Sequence, residues 1–248
     1  VPRRIRGPGP SRRSPRRCEA RLTVMSETQA EVGPRIGDQV FEAMQASILN
    51  GEYPSGQRLR IRQLAASLGT SVMPVRESLA RLEEVGLVET SPHRGAVVKT
   101  FTAAELLQIY SVRRILEVEA TVHGVQKLDA AGRVRLDEEF AAMETALAVG
   151  DAAGYLDHDE ELLATIYSAS GNPVLVETIR TLWLRCRAYK LVGARQEIAA
   201  DAQAQAPLLK HQRRLIEAVD AEDASAAAEA TEDSFDDAIR RIRAGLDA

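Results

Sequence analysis

Residues 67–90, SLGTSVMPVRESLARLEEVGLVET, hold a helix end, a turn and a helix start within eight positions. Leu68-Gly69 closes one short helix, because glycine takes the left-handed conformation of a helix C-terminus without steric cost. Thr70-Ser71 make the turn, and the Ser71 hydroxyl is placed as N-cap to accept from a free backbone N–H of the next helix. Pro74 falls in the first turn of that helix, where its missing donor costs nothing. Val75, Leu79 and Leu82 recur at i, i+4 and i+7, the spacing of one buried face, and leave Arg76, Glu77, Ala80 and Arg81 outside or flanking it. Two helices joined by a tight turn, the second presenting its N-terminal end, form a helix-turn-helix.

The flanks extend this unit in both directions. Upstream, RIRQLAASLG places Leu64, Ala65 and Leu68 on one helical face, after a turn at Pro54-Ser55-Gly56. Before that turn, Val40, Phe41, Met44 and Ile48 recur at helical spacing, with Asp38 as N-cap and Asn50-Gly51 as the stop, so a first helix precedes the pair. Past Gly86 the apolar period changes to two. LVETSPHRGAVVKT therefore reads as a two-strand hairpin with Arg94-Gly95 at its tip, a wing packed on the three helices.

The whole chain has 248 residues, 45% of them apolar, and a net charge of −4. No run of about eighteen apolar residues is present to cross a bilayer, so no membrane partner is expected. Cys18 and Cys186 form no CxxC or Cys/His spacing, which leaves neither a disulfide framework nor a zinc finger and fits a reducing, cytoplasmic setting. The charge is unevenly placed. Residues 1–24 carry eight arginines against one acid, Glu19; residues 34–100 carry eight Lys/Arg against seven Asp/Glu; residues 101–248 carry sixteen against twenty-six.

Residues 1–33 read as a disordered basic leader. Its Arg-rich start fits a nucleic-acid-binding arm or a transit-like segment. VMSETQAEV reads equally as a native start at Met25, with an over-long gene call before it, and we assign the leader no function. Residues 101–248 are of another kind. TFTAAELLQIYSVRRILEVEATVHGVQ opens a helix with Leu106, Leu107, Tyr110, Val112, Leu116 and Val118 apolar, and alanine-rich helices follow, broken near Asp129–Gly132, Gly150-Asp151, Gly171-Asn172-Pro173 and Gly193. No period-two run of strand length appears. The expected fold is mainly α: a winged helix-turn-helix over 34–100, then an all-helical bundle over 101–248.

From Ile48 to Val98 the sequence resembles, almost position for position, the DNA-binding domain of the GntR family of bacterial transcription regulators. The landmarks are Pro54-Ser55-Gly56, Leu64-Ala65, Leu68-Gly69, Pro74-Val75-Arg76, Gly86-Leu87 and Arg94-Gly95. The resemblance implies that Arg62 and Arg76 approach DNA and that Arg94-Gly95 enters the minor groove. A guanidinium can donate a bidentate pair to guanine, and a wing-tip glycine lets the backbone come close. The DNA-facing set is thus Arg60, Arg62, Ser71, Met73, Pro74, Arg76, Arg94 and Gly95. One position departs from the family. Val72 stands where an arginine is common, so either the half-site differs there or Arg60 and Arg62 supply the charge.

IYSVRRILEVEA, DEELLATIYSASGNPVL and KHQRRLIEAVDAED resemble the helical effector domain of the FadR-like, or FCD, subgroup. Many members of that subgroup hold a metal with an aspartate, a histidine four residues on, and two later histidines. Here the aspartate falls on Asp159, but the other positions fall on Leu163, Gln212 and Ser234. A one-residue slip would bring in His211 and Asp233 instead, giving Asp159, His211 and Asp233 as the alternative metal set, yet it turns a helix by about 100°. A metal is therefore disfavoured and no cofactor is expected. Arg113 is read as the strong cation of the pocket, or as the i,i+4 ion-pair partner of Glu117. The first reading makes the effector a carboxylate-bearing organic molecule contacted by Arg113, Asp159, Leu163, His211, Gln212 and Ser234.

His93, His123, His158 and His211 are dispersed, and no GxSxG elbow, phosphate-binding glycine loop or HExxH is present, so no enzyme is expected. The partners expected are a double-stranded operator with an inverted repeat, a small-molecule effector that relieves repression, and a second copy of the chain as homodimer.

Overall fold

In a computed structural model, the described residues are 36–91, 95–200 and 205–244; the leader read over 1–33 and the wing-tip Arg94 lie outside them. The N-terminal elements are α1 (Ile36–Leu49), β1 (Arg58–Leu59), α2 (Ile61–Ser67), α3 (Val72–Glu84), β2 (Val88–Ser91) and β3 (Gly95–Val98). Val40, Met44 and Ile48 of α1, Leu64 and Ala65 of α2, and Val75, Leu79 and Leu82 of α3 close on one another and on Leu59, Val88 and Val98 of the strands. Val75 and Leu82 have no exposed surface, and each contributes about 1.5–3 kcal/mol by leaving water. Gly69 takes φ +62 in the turn between α2 and α3, the conformation that favours glycine there.

Three local expectations are corrected. Asp38 lies inside the first turn of α1 rather than before it, and its carboxylate pairs with Arg81 at 2.8 Å. Ser71 does occupy the N-cap position of α3, at φ −82 and ψ 168, but its side chain makes no capping hydrogen bond. The hairpin gains a third strand, in the antiparallel order β1-β3-β2, with Leu59 opposite Ala96 and Val88 opposite Val98. A two-residue strand has no periodicity of its own, and Arg58-Leu59 is a strand only because β3 offers its free edge.

The helical part follows as α4 (Ala103–Val125), α5 (Ala130–Ala148), α6 (Ala152–Ala169), α7 (Pro173–Ala200), α8 (Gln205–Asp220) and α9 (Ala224–Ala244). Thr102 opens α4 with a capping box: its hydroxyl accepts from the Glu105 N–H, and the Glu105 carboxylate accepts from the Thr102 N–H at 2.8 Å. Asp129 and Asp151 cap α5 and α6 without the reciprocal bond, their carboxylates accepting from backbone N–H groups of the first turn. The break near Asp129 therefore ends at Asp129 itself, and Ala130 to Gly132 are already helical. Gly193 breaks nothing. It sits inside the continuous α7, because one interior glycine costs only about 1 kcal/mol, which the packing of 28 residues outweighs.

α4 packs along α9 and α6, and α5 along α6 and α8. At the α4–α6 crossing a Cβ on Gly124 would lie 2.0 Å from the Ile166 carbonyl oxygen, so only glycine allows that approach. Val112, expected among the apolar positions of α4, is 46% exposed on its outer face. No helix among the described residues is long and apolar enough to cross a membrane.

Candidate functional site

Two regions gather polar side chains that packing does not require. The first is the outer face of α2 and α3. Arg60 stands at the N-cap position of α2, Arg62 lies in its first turn and Arg76 lies one turn into α3; all three are exposed. Among the described residues none of these guanidiniums has an ion-pair partner. Arg81, further along α3, is held in contrast by Asp38 and lies 4.0 Å over the Phe41 ring. Ser71 and Met73 are exposed and Pro74 is half-buried. Gly95 opens β3 with φ +72, beside the position of Arg94. An exposed helix N-terminus flanked by free guanidiniums suits phosphate oxygens and the acceptor edge of guanine.

The second region is a cavity of about 500 Å³ inside the helical part, walled by α4, α6, α7, α8 and α9. Arg113, Asp159, Leu163, His211, Gln212 and Ser234 all line it. Leu156, Leu208, Leu215 and Phe235 supply apolar wall between them. Asp233 is turned to the outer side of α9, where Arg214 donates to it at 2.6 Å, so the slipped metal set Asp159, His211 and Asp233 is not brought to one point.

Arg113 corrects the expectation of a free cation. Its Nε donates to Glu117 Oε1 at 2.7 Å and its Nη2 to Glu117 Oε2 at 3.3 Å, while Nη1 reaches the Cys186 sulfur at 3.2 Å. The fork that suits a ligand carboxylate is already occupied. Trp183 Nε1 and the Tyr167 hydroxyl donate to the same Glu117 carboxylate, at 2.9 and 3.2 Å. Burial acts to lower the Arg113 pKa, but the Glu117 charge and hydrogen bond, with Cys186 and Tyr110, together hold it well above the usual value. The i,i+4 reading of this pair is the one realised.

Lys190 on α7 is the cation that spacing did not reveal. Its Nζ donates to Asp159 Oδ2 at 3.0 Å, and Gln212 Nε2 donates to Asp159 Oδ1 at 2.6 Å. Burial again acts against the charge of Lys190, and Asp159 with Glu160 more than restores it. Asp159 is 31 positions from Lys190 and 53 from Gln212, so only the tertiary packing of α6, α7 and α8 joins them. Tyr110, with its hydroxyl pushed up to about 12 by burial and the nearby Cys186, and Tyr155, which donates to the Leu208 carbonyl at 3.0 Å, also line the cavity, as do Glu197 and Arg241.

His211 and Gln212 carry a different signal. Burial, helped by Lys210 and Arg214, pulls the His211 pKa below the ordinary histidine value, so the ring is neutral at pH 7. Its Nε2 faces Asp237 Oδ2 at 2.8 Å, and a carboxylate fixes that nitrogen as the donor. Nδ1 is then an acceptor, and it is buried without a hydrogen-bond partner among the described residues. Gln212, donating through Nε2, likewise leaves Oε1 buried and unpartnered. The wall formed by α8 thus holds two acceptors and no donor to meet them.

α7 connects the two regions. Lys190 and Gly193 line the cavity from one side of the helix, and Arg195 on the other donates from Nη2 to the Asn50 carbonyl at 3.0 Å, just past the end of α1.

The family model for bacterial regulatory proteins of the gntR family matches residues 36–98, and the FCD domain model matches residues 108–237. The chain is 30% identical over 147 residues to the HTH-type transcriptional regulator McbR of Escherichia coli (strain K12). That alignment covers 59% of this chain and 66% of the relative, just under two thirds of its length. The solved structure of E. coli McbR/YncC shares the fold with a TM-score of 0.73 at 24% identity, over 85% of this chain and 98% of that one. A GntR transcriptional regulator from Rhodococcus sp. RHA1 gives a TM-score of 0.70 at 26% identity, over 84% of this chain and 97% of that one.

Proposed function

The chain belongs to the GntR family of bacterial regulatory proteins and carries an FCD domain, so it is a DNA-binding transcription regulator; from that premise we propose that it is a cytoplasmic homodimeric repressor, released from an inverted-repeat operator by a small organic effector in the helical cavity. Two copies double the phosphate contacts and match two half-sites one or more helical turns apart. The observation that carries the effector reading is the double role of α7, which forms cavity wall through Lys190 and Gly193 and holds the end of α1 through Arg195. A ligand that repositions α7 changes how the helix-turn-helix is presented, by as much as its affinities for the two arrangements differ.

The chemistry of the wall favours a neutral effector over the carboxylate expected from sequence. An anion bound at Arg113 would displace Glu117, and breaking a buried pair costs about 3–5 kcal/mol. A ligand hydroxyl or N–H group, by comparison, would meet His211 Nδ1 and Gln212 Oε1, and each unmet buried acceptor costs about 1–3 kcal/mol. Leu163 and Leu208 would face its apolar part.

The test is a thermal-stability screen with triads of alcohol, amide and carboxylate on one skeleton, followed by operator titrations with each hit. Saturation a hundredfold above the dissociation constant adds about 2.7 kcal/mol of stability. Hits are expected among alcohols and amides, and they should weaken operator binding. Carboxylate hits alone would overturn the ligand class while leaving the cavity reading intact, and absence of any hit would overturn both. Arg195→Ala should bind operator and effector and lose the coupling between them. Tight binding to a single isolated half-site, equal to that of the repeat, would overturn the dimeric reading.

A further inference from the structure

Val72 and Met73 open α3 with 38% and 64% of their surfaces exposed. Among the described residues up to Val98, the only other large hydrophobic so exposed is Ile36, at the first position of α1. A lone surface valine or methionine needs no explanation. These two are adjacent, they occupy the first turn of the helix whose N-terminal residues meet base edges in a helix-turn-helix, and neither supports the core behind them. Helical spacing puts Val72 one turn before the exposed Arg76, and Met73 in line with Glu77 and Ala80 on the outermost face.

The arrangement offers the major groove two apolar surfaces next to one guanidinium. Only one base presents an apolar group there: thymine, through its 5-methyl, which apolar side chains recognise by contact. Guanine remains the match for Arg76. We infer that Val72 and Met73 are specificity-determining residues that read thymine methyl groups, and that each half-site carries thymine within a base pair or two of the guanine bound by Arg76. The occupant of this exposed patch is DNA because Arg76 on the same helix and Arg60 and Arg62 on the preceding one are exposed and have no ion-pair partners among the described residues.

The experiment uses the full chain and a duplex selected by it from a random pool. The selected half-sites are expected to contain thymine beside guanine; half-sites without thymine would overturn the inference. Each thymine is then replaced by deoxyuridine, which keeps the base pair and removes only the methyl. Affinity should fall about three- to tenfold at the contacted positions. In the Val72→Ala/Met73→Ala variant the two duplexes should bind alike while the preference for guanine is kept. Equal binding of both duplexes by the unaltered chain, or a difference that survives in the variant, would overturn the inference. So would a variant that shifts self-association of the DNA-free protein with no change in the thymine-to-uracil ratio, since the patch would then face a second copy.

Discussion

Arginine stands at the centre of both functional regions and is treated in opposite ways. On the face of α2 and α3, Arg60, Arg62 and Arg76 are exposed and, among the described residues, free of ion pairs. In the cavity, the Arg113 side chain is 5% exposed and its fork is closed by Glu117. The difference follows from solvation. A cation awaiting a phosphate or a guanine can rest in water, which screens it until the partner arrives. A buried cation has no such reserve and must be neutralised in the folded chain itself. Unpaired charge is therefore found on the α2–α3 face, whereas Arg113 and Lys190 of the cavity are each held by a carboxylate of the chain itself.

The comparison breaks most easily at Glu117. Glu117→Ala would leave Arg113 buried with no counter-charge and remove the acceptor of Trp183 and Tyr167. A loss of about 3–5 kcal/mol in a urea titration is expected. A loss below about 1 kcal/mol, the range of exposed pairs, would mean that water reaches Arg113 and that its guanidinium is open to a ligand after all. Arg76→Ala sharpens the other side. Its stability should stay within about 0.5 kcal/mol of the unaltered chain, whereas discrimination between specific and scrambled duplex should fall by about 1–3 kcal/mol. Retained discrimination would remove α3 from the role of recognition helix.

The same division explains what the sequence made legible. The turn at Gly69, the proline at Pro74 and the face of Val75, Leu79 and Leu82 are local features, and local spacing was enough to place three helices and a wing. β1 was not legible, because Arg58-Leu59 becomes a strand only through β3, which lies 37 or more residues on. Gly193 misled because local propensity argues for a break and tertiary packing overrides it. In the cavity the family register picked out Asp159, Leu163, Gln212 and Ser234, which line it from α6, α8 and α9. It carried no information on which atoms were already spent. The Arg113–Glu117 pair was visible at i,i+4, but its claim on the pocket depended on Trp183 and Tyr167, and Lys190 was invisible because nothing local links it to Asp159.

The smallest expected effect concerns protons. His211 lies in the cavity wall, and its folded pKa is lowered by burial and by Lys210 and Arg214. In the unfolded chain His211 takes up a proton near the ordinary histidine value, while the folded chain resists that uptake. The sign follows from linkage: the contribution to stability is fully present above the unfolded value and is lost as pH falls toward the lower folded value. His211→Gln removes the titration and keeps a side chain able to donate to Asp237. Between about pH 7.5 and 5.5 the urea midpoint of the unaltered chain should therefore fall further than that of the variant. Operator binding at constant salt should change little from this source, because His211 lies in the cavity wall and not on the α2–α3 face. An identical pH slope for the two proteins would show that His211 is solvated in the folded chain, and with that the unmet acceptor at Nδ1, on which the neutral-donor class of effector rests, would be gone.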